Sequence, residues 1–329
     1  MLGRAVRRIM LASIFVAFSG TSAGAQASGQ EGAQGDAVRE IVAAFKQHPV
    51  VIIGEAHWLR QPGDFYVRLV GDPEFQETVQ DIVIEFASRN NQPLLDRYSE
   101  GQNVPIEEMR RIWRDTTKVA SWESPIYAEW LAAIREVNKT LPAARRLRVL
   151  AGDTTIDWSQ IKTHDDWAAL GDNNISIADV VIHEVLEKKH RALVVLGSNH
   201  VTRSGDRNGN DNITTRIESR YPGSTYVVMM LHVGALNPAL EAQLGLAQRK
   251  APALYALAGT PQGKMRDQNG STLIEKADAL LYLGPRAGFT LAMPPAGSLE
   301  PAYLREIDRR SMIEWGELRA RKCLGAAAQ

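Results

Sequence analysis

Ionisable side chains stand directly after apolar runs at several places in this chain. Val50–Ile53 is followed by Gly54-Glu55-Ala56-His57, Ile82–Ile84 by Glu85, and Leu147–Leu150 by Ala151-Gly152-Asp153. Ala192–Leu196 is followed by Gly197-Ser198-Asn199-His200, and Tyr226–Leu231 by His232. A histidine beside carboxylates can take a proton from water and return one to a leaving group, which is the minimum for hydrolysis. On that chemistry His57 is the expected general base, Glu55 and Glu85 orient the ring or the water, and His200 stabilises developing charge. Asp153 is a further candidate, with capping of the next turn as its plainer reading. The same residue types could instead hold a divalent ion that lowers the pKa of bound water, with His57, Glu85 and His200 as donors to exchangeable manganese, cobalt or zinc. No donor pair lies at i, i+4 spacing and no cysteine joins the set, so a structural zinc is not expected.

Glu85 is the sharpest single residue. A carboxylate adjoining a wholly apolar strand must be paired, protonated or bound to something, and a salt bridge to Arg89 is the bland alternative. VVIIGEAH and LVVLGSNH echo each other: a buried strand, a glycine, two residues and a histidine. The glycine is expected to make a sharp turn that brings the imidazole back over the sheet. Neither a G-x-S-x-G elbow nor an H-E-x-x-H helix occurs, and phosphate-binding loops are absent as well. The loop SGDRNGNDN (204–212) resembles a calcium loop but lacks the closing glutamate, so it reads as a solvated turn. His48, His164 and His183 read as structural or surface residues. His190 does too, as a cation at a helix end.

The elements that must position these residues follow from the apolar pattern. Short continuous apolar runs are the mark of strands buried on both faces of a parallel sheet. They occur at Val50–Ile53, Ile82–Ile84, Leu147–Leu150, Ala192–Leu196 and Tyr226–Leu231, with weaker ones near Ala253–Leu257 and Ala279–Leu283. Helical spacing lies between them: Val38, Ile41, Val42 and Phe45 behind Asp36 as N-cap, then Trp130 to Val137, Ala178 to Leu186, and a late helix over 301–321. The alternation predicts an α/β fold, a mostly parallel sheet flanked by helices on both faces. Two insertions, 87–125 with Trp113 and Trp122 and 154–174 with Trp158 and Trp167, are expected as helical roofs over the carboxyl ends of the strands, where ligands of such sheets bind.

A length of 329 residues admits one large α/β domain, expected over 36–325 after a flexible Gly- and Gln-rich lead-in at 26–35. Residues 1–25 read as a secretory signal peptide: Arg4, Arg7 and Arg8, an apolar run from Ile9 to Phe18, and small residues ending in Ala23-Gly24-Ala25. The mature protein is therefore expected in the periplasm or outside the cell, with no membrane insertion after cleavage. Its single cysteine, Cys323, is read as incidental, so the fold must stand on its apolar core without disulfides. With 38 basic and 38 acidic residues there is no net field, which argues against a nucleic-acid partner and for a small-molecule or peptide substrate.

At these strand ends the chain resembles the superfamily that joins erythromycin esterase-like proteins, ChaN-like haem-binding proteins and TraB/Tiki proteins. VIIGEAH is similar to the first strand-end motif, VIEF to the second-strand glutamate and LGSNHV to the late histidine motif. The stretch WLAAIREVNKTLPAARRLRVLAGD (130–153) is similar to the esterase-like branch. The esterases place two residues between Glu and His in the first motif; one stands between Glu55 and His57, as in the ChaN-like and Tiki branches. The resemblance implies metal-free ester hydrolysis by His and Glu, metal-dependent peptide hydrolysis, or haem binding, according to branch. No haem-binding residue carries over by motif. The leading expectation is an exported hydrolase of an ester, lactone or amide, and the rival is a non-catalytic haem- or metal-binding protein.

Overall fold

The computed structural model describes residues 35–206, 209–232, 238–246, 249–266 and 270–328, so the expected signal peptide and all but the last residue of the lead-in lie outside the described residues. Eight strands form one sheet: β1 (Gly35–Asp36), β2 (Val50–Glu55), β3 (Asp81–Ser88), β4 (Arg148–Asp153), β5 (Ala192–Gly197), β6 (Thr225–Leu231), β7 (Ala253–Ala256) and β8 (Ala279–Tyr282). Their order is β1-β7-β8-β6-β2-β5-β3-β4. Neighbours from β8 to β4 run parallel, whereas β7 is antiparallel to β8 and β1 to β7. The fold is α/β with a mostly parallel sheet.

The apolar runs are strands because both sheet faces are covered, and side chains alternate between those faces. Val51, Ile53, Ile82, Ile84, Leu193 and Val195 join one core with the helices Arg60–Val70 and Pro125–Thr140. Val50, Ile52, Val83, Val194 and Leu196 point the other way, into a second core with the helices Asn173–Val180 and Ile213–Arg220. Each central strand runs further than its apolar core suggests: β2 ends on Glu55 and β5 on Gly197, while β3 continues past Glu85 to Ser88. The chain leaves β2 for β3 and β4 and returns to form β5 between β2 and β3. It then crosses to the far side of β2 for β6. Strand order therefore reverses around β2 and β5, the arrangement that opens a crevice at their carboxyl ends.

The roof over that crevice differs in part from expectation. The first insertion is helical, at Gln92–Ser99 and Ile106–Arg114. The second carries one short helix, His164–Ala168, and is otherwise irregular. Its Ile156, Trp158 and Ile161 pack against Leu304, Ile307 and Ile313 of the helix Pro301–Trp315, so tertiary burial rather than local helix formation orders it. That last helix does not run to 321. It stops at Gly316, whose φ of 70° is the left-handed conformation glycine adopts at helix ends, and a short helix restarts at Arg319–Leu324.

β4 is an edge strand, and two side-chain amides occupy its open side. Asn138 accepts from Leu147 N at 2.8 Å and donates to Leu147 O at 2.9 Å. Gln92 donates to Val149 O at 2.8 Å and accepts from Ala151 N at 2.7 Å, so these backbone groups are withheld from another strand. At the amino end of the sheet Asp81, fully buried, accepts from Arg148 at 2.7 and 3.0 Å and pairs with His190 at 2.9 Å. His190 is thus a hydrogen-bond partner of a buried carboxylate rather than a group set only by the helix end. Among the described residues no helix is long and apolar enough to cross a membrane.

Candidate functional site

β2 delivers Glu55 into a buried position, 4% exposed, and the next turn returns His57 to it. His57 Nδ1 and Glu55 Oε1 are 2.9 Å apart. A carboxylate only accepts, so Nδ1 carries the proton and Nε2 keeps the lone pair a base needs. The remaining lone pairs of Glu55 take Tyr127 Oη–H on Oε1 and Tyr66 Oη–H on Oε2, each at 3.2 Å. Burial and the Glu55 charge hold both phenols well above their ordinary pKa, so they stay neutral donors. The His57 ring meets Trp122 edge-on at 4.6 Å, and its side chain is 35% exposed. Burial works against the imidazolium, but the Glu55 hydrogen bond and the charges of Glu55 and Glu85 outweigh it, and the His57 pKa is raised.

The glycines act differently from the expected sharp turn. Neither Gly54 nor Gly197 has a positive φ; the left-handed residue is Trp58, at φ 70°. Such a conformation in a bulky residue needs external support. Trp58 has it from its indole N–H to Ser121 O and from Ala292 N to its own carbonyl at 2.7 Å. What the glycines supply is close approach. A Cβ on Gly54 would stand 2.6 Å from Val201 Cγ2, and one on Gly197 would stand 3.1 Å from His57 Cε1 and Nε2 and 3.5 Å from Glu85 Oε2.

Gly197 is therefore the point where the two halves of the site meet. Its N–H donates to Glu85 Oε2 at 2.7 Å, and Glu85 Oε1 faces His200 Nε2 at 3.7 Å. Arg89 is not the partner of Glu85; its side chain is exposed. His200 Nδ1 lies 2.8 Å from Asn174 Oδ1, which takes the Nδ1 proton.

Asp153 ends β4 and sits deeper. It accepts from Thr117 N at 2.6 Å, Thr117 Oγ1 at 2.7 Å and Thr154 N at 2.9 Å. Burial pushes its carboxyl up to about 7 against those bonds, and the Glu85 charge adds to the rise. Its contacts make it a latch for segment 114–122 rather than a group that meets a substrate. That segment has little regular structure, and side chains satisfy its backbone: Trp158 and Trp167 donate to the carbonyls of Thr116 and Thr117, and Glu314 accepts from Val119 N.

Segment 118–121 and the carboxyl-terminal helices wall a cleft of ≈ 430 Å³ onto which His57 opens, with Trp58, Lys118, Glu314, Trp315 and Arg319 among its lining residues. Cys323 lines it as well. A larger cavity of ≈ 890 Å³ lies at the β4 edge beside Gln92 and Asn138, away from this chemistry. His232 follows β6, and burial lowers its pKa.

The proposed metal donors are turned to protein partners: His57 Nδ1 to Glu55, Glu85 to Gly197 and His200 Nδ1 to Asn174. Among the described residues no group of three His, Cys, Asp or Glu side chains is placed to hold an ion. This arrangement does not fit a metal centre. Haem would need an axial nitrogen beside a flat apolar slot. His57 lines the cleft, but Lys118, Glu314 and Arg319 line the same space, so the fit is poor there too. Tyr66, Tyr127, Trp122, Thr117 and Asn174 complete the site, and no sequence motif announces them.

No protein-family model matches the chain, and no curated protein is significantly similar to it. Solved structures are similar in fold. A succinoglycan biosynthesis protein matches at TM-score 0.57 and 10% identity over 75% of this chain and 90% of its own. A Bacillus cereus protein matches at TM-score 0.50 and 10% identity over 75% and 97%. ChaN of Campylobacter jejuni, solved with cofacial haem, is a weaker match at TM-score 0.42 and 12% identity over 75% and 92%, and it carries no argument about a ligand here. The fold is shared with the first two proteins; function is not read from them.

Proposed function

We propose that this protein hydrolyses a carboxylic ester, lactone or amide with His57 as a metal-free general base. The observation that carries the reading is the Glu55–His57 pair at 2.9 Å: its carboxylate is held by two buried tyrosines while the ring opens onto a cleft. Nothing in a purely structural pair calls for an imidazole that stays 35% exposed at a cleft. In the first step Nε2 removes a proton from water as the water oxygen bonds to the acyl carbon, and the carbonyl π pair moves to oxygen. In the second that pair returns, the bond to the leaving oxygen or nitrogen breaks, and the imidazolium gives the leaving atom its proton. Glu55 fixes the tautomer and offsets the charge on the ring, and Glu85, across Gly197, adds negative potential. Export, expected from the first 25 residues, would place this chemistry outside the cytoplasm.

The test is a panel of aryl esters, lactones and anilides with exhaustively chelated protein beside His57→Ala. Turnover should persist without metal and fall by about 10²–10⁴ in the variant, the span of a positioned general base. Turnover that vanishes on chelation and returns with an added ion would overturn the metal-free reading. Equal turnover in both proteins would remove His57 from the reaction.

A further inference from the structure

The cleft at His57 is unevenly charged. Lys118 and Arg319 line it, and among the described residues neither side chain makes a hydrogen bond or a close ion pair; their heads lie near the Trp167 ring at 5.8 Å and the Trp315 ring at 5.5 Å. Glu314, 7% exposed, is the one acidic residue among the described residues of the same lining. Burial pushes its carboxyl up to about 7 against the pull of Lys118 and Arg319, so near neutrality the lining carries more positive than negative charge. Trp58 and Trp315 supply flat apolar surface in the same lining, and Val119, Ala120 and Ala320 fill in around them. Two cations against one carboxylate, beside aromatic walls and next to a base, suit a ligand that brings both a planar ring and an acid group.

We infer that the substrate of this site is an aromatic ester bearing a carboxylate, its acid group held between Lys118 and Arg319 while its acyl carbon meets His57. The inference rests on the reading of His57 as the hydrolytic base. It adds what that reading leaves open, the charge and shape of the substrate. Segment 118–121 then has a second task beyond walling the cleft, since Lys118 sits on it. Asp153, through Thr117, sets where that ammonium stands.

The experiment compares phenyl acetate with 4-carboxyphenyl acetate, the same ester with a carboxylate added on the ring. The product pair, phenol and 4-hydroxybenzoate, is titrated against tryptophan fluorescence in parallel, and near-UV circular dichroism checks that variants fold. The native protein should favour the carboxylated ester in kcat/KM by tenfold or more and bind 4-hydroxybenzoate more tightly than phenol. Lys118→Gln with Arg319→Gln should bring both ratios close to one. If neither ester turns over but 4-hydroxybenzoate is preferred and the double variant loses that preference, the inference about the ligand stands and the hydrolase reading falls. If both esters turn over equally, the hydrolase stands and this inference is overturned. A preference for the carboxylated ester that survives the double variant also overturns it, as does binding of neither product.

Discussion

Replacing Asp153 with Asn should invert the order of stability between acid and alkaline pH. The Asp153 carboxyl is 1% exposed and rises from an ordinary 3.8 to about 7 in the folded protein. Between those values the folded state keeps a proton that the unfolded state has lost, so stability falls as pH rises and levels off above the folded pKa. Integrated from pH 5 to pH 8, the loss is about 2.5 kcal/mol. Glu314, raised from 4.5 to about 7, adds a loss of the same sign and similar size. His57, whose pKa is raised, stabilises most below its unfolded pKa and loses that contribution as pH rises through the folded one, again the same sign. His232, whose pKa is lowered, opposes them over the acid half of the window. Carboxylates with lowered values, such as Glu184 and Glu218, change stability only below the window. In Asp153→Asn the side chain cannot accept from both Thr117 N and Thr154 N without turning its amide NH₂ towards an N–H, which costs about 1–3 kcal/mol at pH 5. At pH 8 that cost is offset, because no carboxylate is buried. Urea unfolding of both proteins at pH 5.0 and 8.0 should show the variant weaker at the first and equal or stronger at the second. Parallel pH dependence in the two proteins, or a native protein more stable at pH 8, would refute the reasoning.

Tyr66→Phe with Tyr127→Phe removes both phenol donors from the buried Glu55 carboxylate, each such bond being worth about 1.5–3 kcal/mol. Turnover should fall at least tenfold and the His57 titration, followed by NMR, should shift; an unmoved titration would show that the tyrosines do not act through Glu55. Gly197→Ala puts a methyl 3.1 Å from the His57 ring and should cost about tenfold or more in turnover with little loss of stability, checked by kcat/KM beside a thermal melt. Asn138→Ala strips partners from Leu147 N, Leu147 O and Ser99 O and should cost roughly 3–5 kcal/mol in urea unfolding. The variant should also self-associate through the freed β4 edge on size exclusion.

Much of the site's address was legible because buried parallel strands leave a plain mark, and polar residues straight after them have one place to go. Val50–Ile53, Ile82–Ile84 and Ala192–Leu196 lie in neighbouring strands, so Glu55, Glu85 and the turn carrying His200 share one end of the sheet. The partners were not legible, because they come from elements whose pattern reports packing only. Tyr66 and Tyr127 sit on amphipathic helices among apolar neighbours, and nothing in sequence says that their hydroxyls meet one carboxylate. The Asp81–His190 pair joins residues 109 positions apart, where helix-end chemistry offered a local explanation. Gly54 and Gly197 invited a turn, yet the constraint on them is the space a Cβ would take, a tertiary fact. The irregular insertion at 154–174 was misread for the same reason: its order comes from Trp158 and Ile161 packing on a helix about 150 residues later.

The central claim is that Glu55 and His57 together form the base, and the pH dependence of kcat/KM in chelated native protein and Glu55→Gln tests it most directly. Because the Glu55 hydrogen bond and charge outweigh burial and raise the His57 pKa, the rising limb of the native profile should lie above the ordinary histidine value. In Glu55→Gln, with burial less opposed, the limb should move to lower pH and the plateau should drop. A limb at the same pH in both proteins would contradict the account.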